Sequence, residues 1–319
     1  MLISVIMCTR NRARQLRHVL DSFVALRAPE GATWEMIVVD NGSTDETSAV
    51  IEAFADRLPL RRVWQPVAGL SNARNAGVAA AKGDYICWTD DDVELDPDWL
   101  AAYARAFQRY PDGTIFGGIV EPVYEIEPPA WMVENSGMLA VAFAKRDHGA
   151  IEGQLPTEQD LLPFGANFAV RAAEQRKFLY DANLGVSPNQ KRLGEESAVL
   201  MAIAALGGSY YWIPSSRVRH LIPASRMSLE YIEVYYHSSG ETWAYLSEND
   251  GFPIMGQAIP TEGARIFGVP IWLWCRSLRP AVAYKIKKTL KPRAVHWWLW
   301  NFTQKCKMRG ARDYFRRAE

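Results

Sequence analysis

The first 120 residues repeat one pattern: a short apolar, β-branched run followed by a stretch with helical spacing of its apolar residues. Residues 2–7, 34–39, 60–64, 85–89 and 114–120 read as strands. Residues 15–26 read as a helix with Leu16, Val19, Leu20 and Phe23 on one face. Residues 70–81 form a small-residue helix stopped by Gly83, and 97–110 a further helix. Ser43, with Glu46 three residues on, has the spacing of a capping box that opens a helix to about residue 55. A chain built this way folds into an α/β structure, a mainly parallel, Rossmann-like sheet with right-handed crossovers and flanking helices. Its ligands belong outside the carboxyl ends of the strands.

The polar, chemically capable residues gather at those ends. Thr9-Arg10-Asn11-Arg12 follows the first strand and Asp40-Asn41 the second. The fourth strand, behind a Lys82-Gly83 break, runs straight into Asp90, Asp91 and Asp92. If the chain stays extended there, Asp90 and Asp92 project to one side. Two carboxylates so placed repel unless a cation or donor sits between them. Oxygen ligands of this kind suit Mg2+ or Mn2+, which in turn suits a diphosphate. The simpler reading is negative charge at a helix start, since Asp96-Pro97-Asp98 opens a helix just beyond. Three acids are more than a cap needs.

The chain has 319 residues and a formal net charge of zero, with 36 Lys or Arg and 36 Asp or Glu. The zero hides a split. Residues 265–319 carry 14 basic and 2 acidic side chains, leaving 22 basic and 34 acidic in the rest. Tyr284-Lys-Ile-Lys-Lys-Thr-Leu-Lys291 is basic, and His296-Trp-Trp-Leu-Trp-Asn-Phe302 aromatic. Lys and Arg interleaved with Trp, Phe and Leu suit helices lying in a membrane interface. The same composition also suits helices that pack their Trp residues onto the catalytic core or onto a second subunit, and nucleic-acid binding could use similar chemistry. No apolar run approaches the roughly 20 residues needed to span a bilayer.

Cys8, Cys87, Cys275 and Cys306 have neither CxxC nor zinc spacing, which points to a reducing, cytoplasmic setting. The opening residues read as a strand rather than a signal peptide. Residues 121–163, rich in Pro, Glu and aromatics, read as a loop region or lid. Beyond it, Gly165-Ala-Asn167 turns into a strand, and Gly194-Glu195-Glu196 opens a helix ended by Gly207-Gly208. Residues 210–214 and 217–221 read as strands, and Ser228 caps a long amphipathic helix.

Taken together, Cys8-Thr-Arg-Asn-Arg, Val39-Asp-Asn-Gly-Ser-Thr-Asp, Gly69-Leu-Ser-Asn-Ala-Arg-Asn-Ala-Gly, Thr89-Asp-Asp-Asp, Gly165-Ala-Asn-Phe-Ala-Val-Arg, Gly194-Glu-Glu-Ser and Val218-Arg-His resemble glycosyltransferase family 2 in kind, order and spacing. The resemblance covers roughly residues 1–245. It implies the A-type glycosyltransferase fold and inverting transfer of a sugar from a nucleoside diphosphate donor. It divides the chain into a catalytic domain, 1–250, and a basic, aromatic C-terminal region, 251–319. The catalytic domain would have a nucleotide-binding half, 1–120, and an acceptor-binding half, 121–250.

Residue by residue, the resemblance implies that Asp40 accepts the uracil N3 hydrogen, with Thr9, Arg10, Arg12 and Asn41 around the nucleotide. Asn72 and Arg74 stand in the helix start that reaches the base or phosphates. Asp90 contacts the donor's ribose, Asp92 ligates Mn2+ or Mg2+, and Asp91 either contacts the donor or shapes the turn. Gly165 and Asn167 lie under the donor sugar or acceptor, and His220 is a further metal or diphosphate ligand. Glu196 holds the position of the base, one methylene longer than the family's usual Asp, which leaves open whether Glu195 shares the role. The implied partners are a UDP-sugar, with dTDP and GDP donors less favoured, and a lipid-linked saccharide acceptor; the tail's composition, beyond the resemblance, adds a membrane surface met through 265–319 and allows a homo-oligomer, and no nucleic acid is expected. Two other classes fit parts of the pattern. A sugar nucleotidyltransferase shares the sheet and carboxylates but usually has a Gly-rich loop after the first strand. A non-catalytic scaffold could carry the same tail.

Overall fold

The structure is a computed structural model that describes residues 1–188, 190–249 and 263–317. In chain order its elements are β1 (Leu2–Thr9), α1 (Ala13–Val24), β2 (Thr33–Asp40), α2 (Thr47–Glu52), β3 (Leu60–Trp64), α3 (Leu70–Ala80), β4 (Tyr85–Asp90), β5 (Val93–Leu95), α4 (Trp99–Arg109) and β6 (Ile115–Tyr124). There follow α5 (Ala130–Glu134), α6 (Ser136–Leu139), β7 (Gly153–Leu155), β8 (Phe168–Arg171), α7 (Ala172–Gln175), β9 (Val186–Ser187), β10 (Gln190–Lys191), α8 (Glu195–Ala205) and β11 (Tyr210–Ile222). The last are α9 (Leu229–Asn249), β12 (Arg265–Ile266), β13 (Val269–Pro270), α10 (Ile271–Leu290) and α11 (Val295–Arg317).

Among the described residues, nine strands form one sheet in the order β3-β2-β1-β4-β8-β6-β11-β5, with β7 on β11. The run β3-β2-β1-β4 is parallel, as the strand–helix alternation predicts. The chain winds from β1 outward to β3, then returns through α3 to place β4 on the other side of β1. That reversal opens a crevice at the carboxyl ends of β1 and β4. Register puts the polar ends level, with Thr9 opposite Asp40 and Cys8 opposite Asp90.

Helices cover both faces of the sheet. The four apolar residues of α1 named from periodicity are all buried. They share a cluster with Val5, Met36, Trp99 and Phe107. On the other face α3 lies close because it is built of small residues. A Cβ on Gly77 would sit 2.6 Å from Ile6 Cγ2 and 3.3 Å from Val39 Cγ2, so the helix has room only for glycine there.

Three local readings change. Ser43 does not cap α2. Its hydroxyl instead accepts the Asn11 N–H at 3.0 Å, and Asp45 accepts the Thr47 N–H at 3.0 Å, so the helix starts later and ends at Glu52. The two strands read over 210–221 are one, β11. The chain is not extended through the Asp triplet. It turns at Asp91-Asp92 into β5, whose three residues pair with Val218, Arg219 and His220 of β11. A three-residue strand gives too little alternation to be read in advance.

The chain divides into two compact units. One comprises residues 1–123, 143–190 and 194–221 and contains the sheet and its helices. The other takes in 124–142, 191–193 and the chain from 222 onward. Thus α9, expected within a catalytic domain ending at 250, groups with the tail helices, and that boundary itself lies outside the described residues. The reason is a close crossing of α9 and α11. A Cβ on Gly240 would be 1.9 Å from the Lys307 carbonyl, and one on Gly310 1.9 Å from that of His237. The crossing is tied by His237–Asp313 at 2.9 Å, Arg309–Glu233 at 2.8 Å, and Arg317–Glu241. Ser228 caps α9 as expected, accepting the Tyr231 N–H at 3.1 Å.

Candidate active site

At the crevice, the acids of the triplet are separated by two arginines. Arg12, just past β1, reaches Asp91 at 3.2 Å and Asp92 at 3.4 Å through one nitrogen. Arg74, on α3, lies 3.7 Å from Asp90 and 3.6 Å from Glu195. The repulsion expected of adjacent carboxylates is therefore met by protein cations. Asp91 and Asp92 are buried and Asp90 partly open. Burial first, and Asp92 after it, push the Asp91 carboxyl well above the ordinary carboxylate range, against the pull of Arg12.

Arg74 is the centre of the second group. It is buried, with its guanidinium 5.6 Å from the Trp88 ring centre and 5.4 Å from that of Tyr180. One of its terminal nitrogens has no hydrogen-bond partner. A buried donor left open in this way costs stability unless a ligand takes it. Gly165 faces the same guanidinium. A Cβ there would stand 2.7 Å from Arg74 Nη2, so a side chain at 165 would push the guanidinium from its place.

Glu195 and Glu196 begin α8 after Gly194, whose φ of 85° is the left-handed turn that suits glycine. The two acids have different surroundings. Glu195 is buried against Arg74, and burial followed by the charge of Glu196 raises its carboxyl above the usual range. Glu196 is half-buried.

His220, on β11, donates from Nδ1 to the Phe143 carbonyl at 3.0 Å. A carbonyl only accepts, so Nδ1 carries a proton; Nε2 faces Asp92 3.5 Å away, as a donor when the ring is charged and as a lone pair when it is neutral. A lone pair and a carboxylate facing each other favour a cation between them. The pair fits a divalent ion that takes its remaining ligands from a diphosphate and water. Among the described residues, no group of three or more His, Cys, Asp or Glu could hold a metal unaided.

At the carboxyl end of β2 Asp40 is fully buried. Its Oδ1 accepts the Ser43 N–H at 3.0 Å and its Oδ2 takes Arg62 twice, from Nε at 3.0 Å and Nη2 at 2.7 Å. Arg62 also lies 5.1 Å from the centre of the exposed Trp64 ring. Neither residue was singled out from the sequence. The available signal was a pair of arginines inside a strand otherwise expected to be apolar, Leu60-Arg-Arg-Val-Trp64.

Other expected residues shape the site from behind. Arg10 donates to the Asn41 carbonyl at 2.5 Å. Asn41 ties three loop positions together, donating to Gln65 and Val67 and accepting from the Gly69 N–H. Asn72 makes a long contact, 3.5 Å, to the Ala68 carbonyl. Thr9 is buried at the end of β1 with its hydroxyl unpartnered. Asn167 departs furthest from expectation. It is fully buried, accepts from Trp99 Nε1 and Tyr103 OH at 2.8 Å each, and donates to the Ile119 and Ser216 carbonyls at 3.0 Å each. With both ends of the amide in use, it is a hub joining α4, β6 and β11, with no donor or acceptor left for a ligand.

Comparison with known proteins agrees with this arrangement. The family model described as glycosyl transferase family 2 matches residues 4–157. The succinoglycan biosynthesis protein ExoM of Rhizobium meliloti is 25% identical over 242 residues, covering 75% of this chain and 73% of its own. In fold, the chain is similar to the mannosyltransferase PcManGT of Pyrobaculum calidifontis, solved with GDP-Man and Mn2+. The TM-score is 0.63 at 18% identity, over 99% of this chain and 88% of that one. It is also similar to residues 1–349 of S. aureus TarS solved with UDP-GlcNAc, with a TM-score of 0.57 at 15% identity, over 100% and 93% of the two chains. The mixed sheet, the acidic strand end level with it and these likenesses lead to one conclusion: the chain is a glycosyltransferase whose residues 4–157 match family 2.

Proposed function

We propose that the chain transfers a sugar, with inversion, from a nucleoside diphosphate donor to a saccharide acceptor carried on a lipid, as one step in building a surface polysaccharide. A UDP-sugar is the favoured donor. The observation that carries the proposal is the pair of charge groups at one crevice: Asp90, Arg74 and Glu195 on one side, Arg12, Asp91, Asp92 and His220 on the other. The nucleotide sugars and Mn2+ bound by the fold neighbours support the ligand class.

In this reading Asp92 and His220 hold the divalent ion, Mn2+ or Mg2+. When bound, that ion offsets the charge growing on the departing diphosphate. Arg74 adds a fixed positive charge and its open N–H in a water-poor setting, where such a donor acts strongly. The acceptor hydroxyl attacks the anomeric carbon from the face opposite the diphosphate, the bond to the diphosphate oxygen breaks, and the hydroxyl proton passes to Glu196. Glu196 is the more open acid of the pair, while Glu195 is committed to Arg74 as its counter-charge. A pyrimidine base that uses Asp40 displaces Arg62, which then lies free against Trp64. The site belongs at the inner face of the cytoplasmic membrane, met through residues 265–319; among the described residues no helix is long and apolar enough to cross a membrane.

Slow donor hydrolysis tests the assignment without knowledge of the acceptor. The protein should release UDP from one of the common UDP-sugars in the presence of Mn2+. Glu196→Gln should lower that release by about 100-fold or more, in the range of a lost general base. Unchanged release in Glu196→Gln would remove the base assignment.

A further inference from the structure

The cations and aromatic residues that the sequence places together in the tail stay paired in the structure, with Lys287 and Lys291 over Trp297 and Lys288 over Trp298. Trp298 is buried, Trp272 and Trp274 pack against the cluster of Trp243, Leu273, Met308 and Phe315, and Arg312 lies over Trp274. Trp272, Trp274 and Trp297 are half-buried and Trp300 is 59% exposed, so the tail's tryptophans are only in part turned inward. The large apolar residues that α10 turns to solvent are aliphatic. Leu278, Val282, Ile286 and Leu290 are 62%, 53%, 53% and 67% exposed, and Ile271 is exposed at the helix start. At 3.6 residues per turn, Ile271, Cys275, Leu278, Val282 and Ile286 fall within about 40° of a single line. Arg279 and Lys285 stand about 60° to either side of it. Both are exposed, and their stems are long enough to lift the charge away from an apolar layer.

We infer that this face of α10 is the docking surface for an anionic lipid leaflet, with the helix lying flat and its aliphatic line immersed. The inference rests on the membrane part of the function proposed above and replaces the aromatic segment with the aliphatic face as the point of contact. Charge selects the partner. From 263 to 312 the sequence has 12 Lys or Arg and no Asp or Glu, so the flanks of the line are cationic over the whole helix. A second protein copy would bring the same positive charge to the contact and be repelled. The hairpin β12–β13 leads into α10 and carries Ile266 and Phe267 exposed at its turn, 47% and 78%, which adds exposed apolar surface just before the helix. An apolar stripe with cations at its shoulders and no acid is the pattern of an interfacial helix, and each cation near an anionic surface adds to the attraction.

The test uses the full chain and flotation with phosphatidylcholine vesicles, made with and without phosphatidylglycerol. The protein should bind the vesicles containing phosphatidylglycerol and leave the purely zwitterionic ones. Arg279→Glu with Lys285→Glu should weaken binding by roughly ten-fold or more. Leu278→Ser with Ile286→Ser should weaken it to a similar degree while leaving the surface charge unchanged. All of these substitutions are at exposed positions, so each variant should keep the thermal shift caused by nucleotide. Equal binding of both vesicle types, absence of binding, or variants that bind as well as the original protein would overturn the inference. So would a concentration-dependent dimer abolished by Leu278→Ser with Ile286→Ser. A protein that binds vesicles but no nucleotide would instead count against the transferase proposal alone.

Discussion

Arg74 shows how much of this site is decided by single side chains. It is a buried cation with two carboxylates within 3.7 Å and one nitrogen left open, so removing it strands Glu195 in a setting that already resists its ionisation. Arg74→Ala should therefore abolish nucleotide binding, whereas Glu196→Gln should abolish turnover and keep binding; isothermal titration with nucleotide separates the two. The crowded acids also set a pH dependence. Asp91 and Glu195 hold protons more readily in the folded chain than in the unfolded one, because burial disfavours their charged forms. Such groups favour folding at low pH, and the benefit is lost as pH rises from the ordinary carboxylate range through their raised values. The thermal midpoint of the ligand-free protein should fall over that interval, and Glu195→Gln should flatten the slope. A midpoint that rises over the same interval would contradict the burial argument. At this scale the sequence was a good guide where chemistry demanded a charge: Asp90, Asp92, Arg74, Glu195 and His220 converge. It misled where a side chain serves the fold. Asn167 in its Gly-Ala-Asn setting reads as a ligand contact, and only its four buried partners, 48 to 68 residues away in sequence, identify it as a hub. Arg62 was illegible for the complementary reason, since nothing in a strand's alternation says which carboxylate its arginine will meet.

Among the elements, the parallel run β3-β2-β1-β4 could be read because each strand is a compact apolar run ended by a polar cluster. Strand β5 could not, because three residues following an acidic turn carry no period. The grouping of α9 with α11 was also hidden. It depends on Gly240 and Gly310, which look like ordinary helix glycines until the opposing carbonyls are seen. Gly310→Val should destabilise this unit by several kcal/mol, since overpacking alone costs about 1–3 kcal/mol and here the obstacle is backbone that cannot move aside. Asn167→Leu should cost the sheet unit about 2–4 kcal/mol, because two carbonyls and two donors lose their partners in the interior. Chemical denaturation with tryptophan fluorescence measures both. A loss under about 0.5 kcal/mol in either variant would show that the neighbours adjust and that the residue is not needed where it stands.

For the molecule as a whole, the proposed function rests on one expectation: that a nucleoside diphosphate and a divalent ion bind together at the carboxyl ends of β1 and β4. In that proposal Asp92 and His220 supply too few ligands to hold a cation firmly alone, and the diphosphate supplies more of them. Each ligand should therefore depend on the other. The most direct measurement is thermal stability with UDP, dTDP and GDP, each with Mn2+ or with EDTA, for the original chain and for Asp92→Ala. Joint binding requires a large upward shift for UDP with Mn2+, a small one with EDTA, and none in Asp92→Ala. A folded protein whose midpoint is unmoved by every nucleotide, or a shift that survives both EDTA and Asp92→Ala, would show that the two ligands do not share this crevice.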